Sequence, residues 1–150
     1  MPQTSRDLND CTPEMRDKTI EVLAASKAEL PASDVAIVAC TYRNTAGQFA
    51  VWQCGRDESG NIVDKAAVKT YKKPGTSEHN HVDSAGRPAS RAVDLLILRH
   101  GRVVDDGADP SYAILGAIGK RFGLEWSGDW RCDLESAHFQ LLNAGTIRAQ

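Results

Sequence analysis

"RAVDLLILRHGRVV", residues 91–104, decides the architecture. From Ala92 to Leu98 only Asp94 interrupts an apolar run, and a His-Gly pair follows at His100-Gly101. A run of this kind closed by a turn dipeptide reads as a central strand and a tight turn. Asp94 is the exception, a carboxylate near the end of a strand whose other residues suit burial.

The flanking segments supply the rest of the fold. "DVAIVAC", residues 34–40, is a second short apolar run and reads as a buried strand. In "CTPEMRDKTIEVLAASKAEL", residues 11–30, Thr12 is suited to cap a helix whose first residue is Pro13, with Met15, Thr19, Val22 and Leu23 on one face. "DPSYAILGAIGKRFGL", residues 109–124, reads as a helix capped by Asp109, begun by Pro110 and followed by Gly123. Tyr112, Leu115, Ile118 and Phe122 form its inner stripe. A shorter helix is expected over residues 46–54, and a last strand around Ala137–Leu141. Residues 57–88 are rich in Gly, Ser, Asn, Asp and Pro and carry at most short strands, near Ile62–Val63 and Val68–Thr70. Long irregular stretches inside small domains are often functional. The order predicts an α+β fold with a small, mainly antiparallel sheet and flanking helices.

Composition narrows the function. The 150 residues suit one domain, and a net charge of −2 provides no basic footprint for nucleic acid. No apolar stretch approaches ~18 residues, so no membrane insertion is expected. The polar "MPQTSRDLND" has no secretory apolar region, which implies cytoplasmic synthesis without a signal peptide. Cys11, Cys40, Cys54 and Cys132 are widely spaced, without a CxxC pair, and read as reduced, mostly buried thiols.

The chemistry rests on few residues. The histidines are His79, His81, His100 and His138. A hydrolytic zinc takes three protein ligands, His or carboxylate, and keeps one position open. His79, Asp94 and His138 offer such a set, and Glu135 stands three residues before His138 as a proton acceptor. His81 is an alternative to His79, since residues two apart share a face of an extended segment. Asp133 competes with Glu135. His100 reads as a turn residue. The acidic "DDGAD", residues 105–109, lacks the remaining ligands of a calcium loop and reads as a solvated turn. Trp52, Trp126 and Trp130 read as core or cleft wall.

Taken in order, Ser77-Glu78-His79, Ala92-Val93-Asp94 and Glu135-Ser136-Ala137-His138 form a pattern. Tyr42-Arg43, Gln48 and Gly55-Arg56 precede it, and the aromatic pair of "EWSGDW" stands before the last histidine. This pattern resembles the zinc D-Ala-D-Ala carboxypeptidase and L-alanyl-D-glutamate peptidase family, VanY-like, which includes phage endolysins. The resemblance spans roughly residues 40–140, most of the chain. It implies a hedgehog/D,D-peptidase-like zinc peptidase fold, with Zn2+ held by His79, Asp94 and His138. It also implies Glu135 as general base and then acid, Arg43 facing the substrate carbonyl, and Ser77 and Gln48 on the substrate side. The implied partner is bacterial peptidoglycan, cut by a monomer whose residues 1–150 are one catalytic domain without a separate wall-binding domain. The implied activity is that of an endolysin cleaving the L-Ala–D-Glu bond once released to the cell wall. D-alanyl-D-alanine carboxypeptidase activity and a non-catalytic wall-binding module are the alternatives. The step from His79 to Asp94 is longer than in the compact family motif, and "HVDSAGR", residues 81–87, reads as a loop insertion.

Overall fold

A computed structural model of the chain describes residues 1–131 and 135–142. In chain order the elements are α1 (Pro13–Glu29), β1 (Asp34–Cys40), α2 (Thr45–Trp52), β2 (Ala92–Arg99), β3 (Arg102–Val103), α3 (Pro110–Arg121), β4 (Leu124–Trp126) and β5 (His138–Leu141). The strands run β1-β2-β5-β4, all pairs antiparallel, with β3 folded back onto β2. The fold is thus α+β with a small antiparallel sheet, and "AVDLLILR" is its central strand. The hairpin turn after β2 takes positive φ at both His100 (52°) and Gly101 (75°), the twist that suits a two-residue hairpin loop.

Strand alternation sorts the central residues. Val93, Leu95 and Ile97 of β2 are fully buried, and so is Phe139 of β5. With Leu141 of β5 they join Met15 and Val22 of α1 and Tyr112, Leu115 and Ile118 of α3 in one core. The two helices therefore cover one face of the sheet. The intervening residues Asp94 and Leu96 of β2 and His138 and Gln140 of β5 line a cleft on the opposite face. Gly119 of α3 is needed for this packing. A Cβ there would stand 2.5 Å from the Phe139 ring, so the bare backbone lets α3 settle on the residue next to His138. Truncating so enclosed an aromatic costs about 3–5 kcal/mol.

The helix ends follow the residues that signal them. Thr12 Oγ1 accepts the Met15 N–H at 3.2 Å and Pro13 opens α1. α1 stops at Glu29, with Leu30 extended ahead of Pro31, where proline disfavours the helical conformation of the preceding residue. Asp109 caps α3 through Ser111 N–H at 3.0 Å. Lys18 Nζ donates to the Phe122 carbonyl beyond the end of α3 at 2.9 Å, tying it to α1.

Four details differ from the sequence reading. β1 is an edge strand, mostly half-buried, with Val35 55% exposed, because it has a strand on one side only. Ser26, rather than Leu23, completes the buried face of α1, bonding back to the Leu23 carbonyl at 2.7 Å. β4 was not anticipated: three residues are too few to display a period. Around Ile62 and Val68 there is an isolated Arg56–Ile62 bridge and a 3-10 turn at Lys65–Ala67 rather than strands. The cysteine reading holds for Cys11 and Cys40, both free and buried, with Cys54 free and half-buried. Burial pushes the Cys11 thiol up to about 12. Cys132 lies outside the described residues.

One partly buried charge network, centred on the buried Asp34, joins the start of β1 to β2 and α3. Arg99 clamps the Asp34 carboxylate through Nε and Nη2 at 2.7 and 2.8 Å and reaches Asp109 at 2.9 Å, while Ser111 Oγ also donates to Asp34. The Arg99 and Ser111 hydrogen bonds hold the Asp34 carboxyl well below the usual carboxylate range. A depressed folded pKa stabilises the fold above the unfolded value of about 3.9, and that stability is lost as pH falls through the folded value. Asp34→Asn is therefore expected to lower the urea midpoint at pH 7. The gap from the parent should narrow as both are acidified below about pH 4. A constant gap across that range, read by fluorescence, would place the effect in packing instead.

Candidate metal centre

Three side chains meet on the cleft face of the sheet. Asp94 and His138 are directly paired residues of β2 and β5, so their side chains stand together. His79 arrives from a single 3-10 turn, Glu78–Asn80. That turn is held on several sides. Ser77 Oγ accepts the His79 N–H at 3.3 Å and forms a reciprocal capping box with Asn80. Arg43 N–H donates to the His79 carbonyl at 3.0 Å, and Asn80 Nδ2 donates to the Arg43 carbonyl at 2.7 Å. Arg91, at the foot of β2, donates from its backbone to the Glu78 carbonyl and from Nε to the Glu78 carboxylate, both at 3.0 Å.

The insertion-like residues after this turn close on themselves. Asp83 accepts the Ala85 and Arg87 N–H groups at 2.9 Å, Val82 bridges Pro88, and Ala89 N–H returns to the His81 carbonyl at 3.0 Å. The extra chain thus returns on itself between His81 and Ala89. His81 is exposed, with Nδ1 2.9 Å from the Ala89 carbonyl, while His79 is 2% exposed and reaches the cluster. Of the two histidines, His79 is the one brought to Asp94.

The geometry of the cluster is that of a metal's coordination triangle. His79 Nε2 lies 3.1 Å from Asp94 Oδ1 and 3.2 Å from His138 Nδ1, and His138 Nδ1 lies 3.2 Å from Asp94 Oδ1. Ligand atoms about 2.0–2.1 Å from a tetrahedral zinc stand about 3.3 Å from one another. The protons are also in the right places. His79 Nδ1 is 2.6 Å from the Thr41 carbonyl, which only accepts, so that nitrogen carries the proton and Nε2 is the lone pair. His138 Nε2 is 2.9 Å from Gln140 Oε1, leaving Nδ1 as its lone pair. Two lone pairs and a carboxylate oxygen then converge, an arrangement that requires a positive charge between them. The titration tendencies express the same demand for positive charge, which a second proton on His79 can also meet. Burial resists charge on both His79 and Asp94. Their mutual attraction nevertheless outweighs it, raising His79 well above and lowering Asp94 well below their ordinary values. The donor set therefore fits a divalent cation with a preference for imidazole and carboxylate.

Around the triad lies a cleft of about 580 Å3. Lys69, Thr70, Tyr71 and Lys72 of the long loop form one wall, so the irregular region does border the site. Trp130, 7% exposed, has its ring centroid 5.8 Å from that of His138 and serves as wall. Glu135 is exposed as a residue, but its carboxylate faces the cleft, where one of its oxygens, an Asp94 carboxylate oxygen and a His138 ring nitrogen lie within 4.8 Å of one another. The turn from Glu135 to His138 is closed by His138 N–H donating to the Glu135 carbonyl at 3.2 Å, which Ser127 Oγ also reaches. Desolvation of its carboxyl, then the Asp94 charge, push Glu135 above its usual range. Asp133 lies outside the described residues.

Arg43 lines the cleft beside the triad, with Nη2 3.7 Å from Asp94 Oδ2. Its Nη1 donates to Gln48 Oε1 at 3.0 Å and its Nη2 to Cys40 Sγ at 3.3 Å. Gln48 is 1% exposed, and its amide also donates to the Lys72 carbonyl at 2.8 Å. The amide is thus committed to the protein, steadying Arg43 and the loop wall rather than facing the cleft. Ser77 lines the cleft but spends its hydroxyl on the His79 turn. Cys40 Sγ stands 3.7 Å from His79 Nδ1, the nitrogen already bonded to Thr41, and within 4.8 Å of an Asp94 carboxylate oxygen. The Thr41 carbonyl, Gln140 and Glu125 were missed in the sequence. Only the two-residue spacing of Gln140 from His138 carried any signal.

No family model matches the sequence. Solved structures do match its fold. The Serratia marcescens L-Ala D-Glu endopeptidase ChiX aligns with a TM-score of 0.57 at 19% identity, over 93% of this chain and 89% of that one. A vancomycin resistance D,D-pentapeptidase, VanY of the VanB-type resistance cassette, in complex with Zn(II), aligns at 0.61 and 21%, over 94% and 79%. VanYB in complex with D-alanine-D-alanine aligns at 0.61 and 20%, over 94% and 77%. The chain has the fold shared by ChiX and the VanY peptidases.

Proposed function

We propose that this chain is a zinc-dependent peptidase that cleaves the peptide stem of bacterial peptidoglycan, acting as an L-alanyl-D-glutamate endopeptidase. The observation that carries the proposal is the convergence of His79 Nε2, His138 Nδ1 and Asp94 Oδ1 at 3.1–3.2 Å, on the wall of a cleft that also holds Glu135 and Arg43. Its fold is that of two peptidase types, one an L-Ala D-Glu endopeptidase and one solved with Zn(II) and with D-alanine-D-alanine.

His79, Asp94 and His138 would hold the ion. Bound there, zinc supplies Lewis-acid chemistry that polarises water and the scissile carbonyl. Glu135 accepts the proton of the attacking water on its carboxylate and returns it to the departing amine nitrogen. A carboxyl held above its usual range suits both directions of that transfer. Arg43 stabilises negative charge developing on the carbonyl oxygen, its guanidinium held by Gln48 and Cys40. Ser77 shapes the wall and secures the His79 turn. This domain works as a monomer, in the manner of a phage endolysin that meets the wall after release.

Purified peptidoglycan digested by the protein, with and without a chelator, should yield fragments whose masses end at L-alanine and begin at D-glutamate. Release of free D-alanine would assign the carboxypeptidase reading. Unaltered peptidoglycan in the presence of added zinc would leave only a non-catalytic, wall-binding module of the same fold.

A further inference from the structure

On the cleft face of the sheet the metal triad continues into Gln140, which lines the cleft, and through it into Glu125. β4 pairs with β5 so that Glu125 stands opposite Gln140, while Asp94 of β2 stands opposite His138. Gln140, 1% exposed, donates from Nε2 to Glu125 Oε2 at 2.7 Å, and its Oε1 receives His138 Nε2–H at 2.9 Å. The directions of these bonds are linked. An ionised carboxylate only accepts, so Glu125 takes the NH2 end of the Gln140 amide. The carbonyl end must then face His138. That end also only accepts, so His138 must carry its proton on Nε2 and keep its lone pair on Nδ1, the atom that faces His79 and Asp94. Were the amide reversed, its NH2 would meet Nε2, the proton would move to Nδ1, and the metal position would confront an N–H.

We infer that Gln140 and Glu125 are positioning residues that set the tautomer of His138, with Glu125 acting at one remove through the Gln140 amide. Hydrogen-bonded partners of ligand histidines fix ring orientation and raise ligand basicity, and their loss costs about 10–100-fold in metal affinity. This inference rests on the metal-binding reading of the triad. It adds that the state of a ligand is decided at β4, a strand too short to be visible in the sequence.

The test is zinc affinity measured by competition with a chromogenic chelator, alongside histidine side-chain 15N NMR of the metal-free protein. Gln140→Met keeps the side-chain length and removes both bonds. It should weaken zinc binding by about 10–100-fold, while the denaturation midpoint of the metal-free protein changes little. The exchanged pair Glu125→Gln/Gln140→Glu rebuilds the same order, an amide donating to a carboxylate that accepts from His138. It should recover affinity to within a few-fold of the parent. Glu125→Gln alone frees the Gln140 amide to reverse, and the NMR spectrum should change from a single Nε2–H form of His138 to a mixture. Should Gln140→Met fail to fold, the exchanged pair and the NMR comparison still decide. Parent-like affinity in Gln140→Met, no recovery in the exchanged pair, or a single unchanged tautomer in Glu125→Gln would each overturn the relay. A parent protein that binds no zinc would instead overturn the metal reading itself, so the two failures are distinct.

Discussion

His138→Ala is expected to abolish zinc binding and peptidoglycan cleavage together. The substitution removes one corner of a triangle whose sides are 3.1–3.2 Å, leaving His79 Nε2 and Asp94 Oδ1 as a two-point site. Catalytic zinc sites take three protein ligands, and two cannot enforce the open tetrahedral geometry. Since losing a mere partner of a ligand costs about 10–100-fold, losing the ligand should exceed about 100-fold in affinity. A ligand that binds only the folded state stabilises it by about 2.7 kcal/mol at a hundred times its Kd. Added zinc should therefore raise the melting temperature of the parent and leave that of His138→Ala unmoved. Metal content, melting shift and fragment release should fall as one. A variant that keeps the parent's zinc content would remove His138 from the ligand set.

Glu135→Gln separates the metal from the chemistry. Glu135 lies beside the triangle, its carboxylate within 4.8 Å of the Asp94 and His138 ligand atoms, and the amide keeps the shape of the acid while losing the capacity to take a proton. Zinc content and its melting shift should stay near those of the parent. The rate of stem cleavage should fall by about 10²–10⁴-fold, the range attributed to general acid–base catalysis. The result has a built-in comparison with Asp133→Asn. Full turnover in Glu135→Gln, with loss in Asp133→Asn, would transfer the proton role to Asp133. Joint loss of zinc and rate in Glu135→Gln would make Glu135 a ligand.

The fold was largely legible because its signals are local. A proline after a capping residue begins both long helices, and His100-Gly101 closes the central hairpin. Where the reading failed, the missing information was not local. The apolar run of β1 is what a strand buried on both sides shows, yet its place at the sheet edge depends on which strands pair. Ser26 is inside because α1 lies against the sheet at one angle. β4 exists because β5 offers it hydrogen bonds.

For the site, the sequence determined the donors: two histidines, one strand carboxylate, and a glutamate three residues from a histidine. Alternation along a strand also placed Asp94 and His138 opposite the core-facing Val93 and Phe139, since that period is a property of the extended chain. The tertiary structure decided the rest. It chose His79 over His81, because only the capped turn tied to Arg43 and Arg91 points an imidazole at Asp94. It committed Gln48 to Arg43 and to the loop wall. It also set the proton on each imidazole, since that depends on what lies at the far nitrogen: the Thr41 carbonyl for one and the Gln140 amide for the other. Those partners come from different strands, and only folding brings them within hydrogen-bond reach.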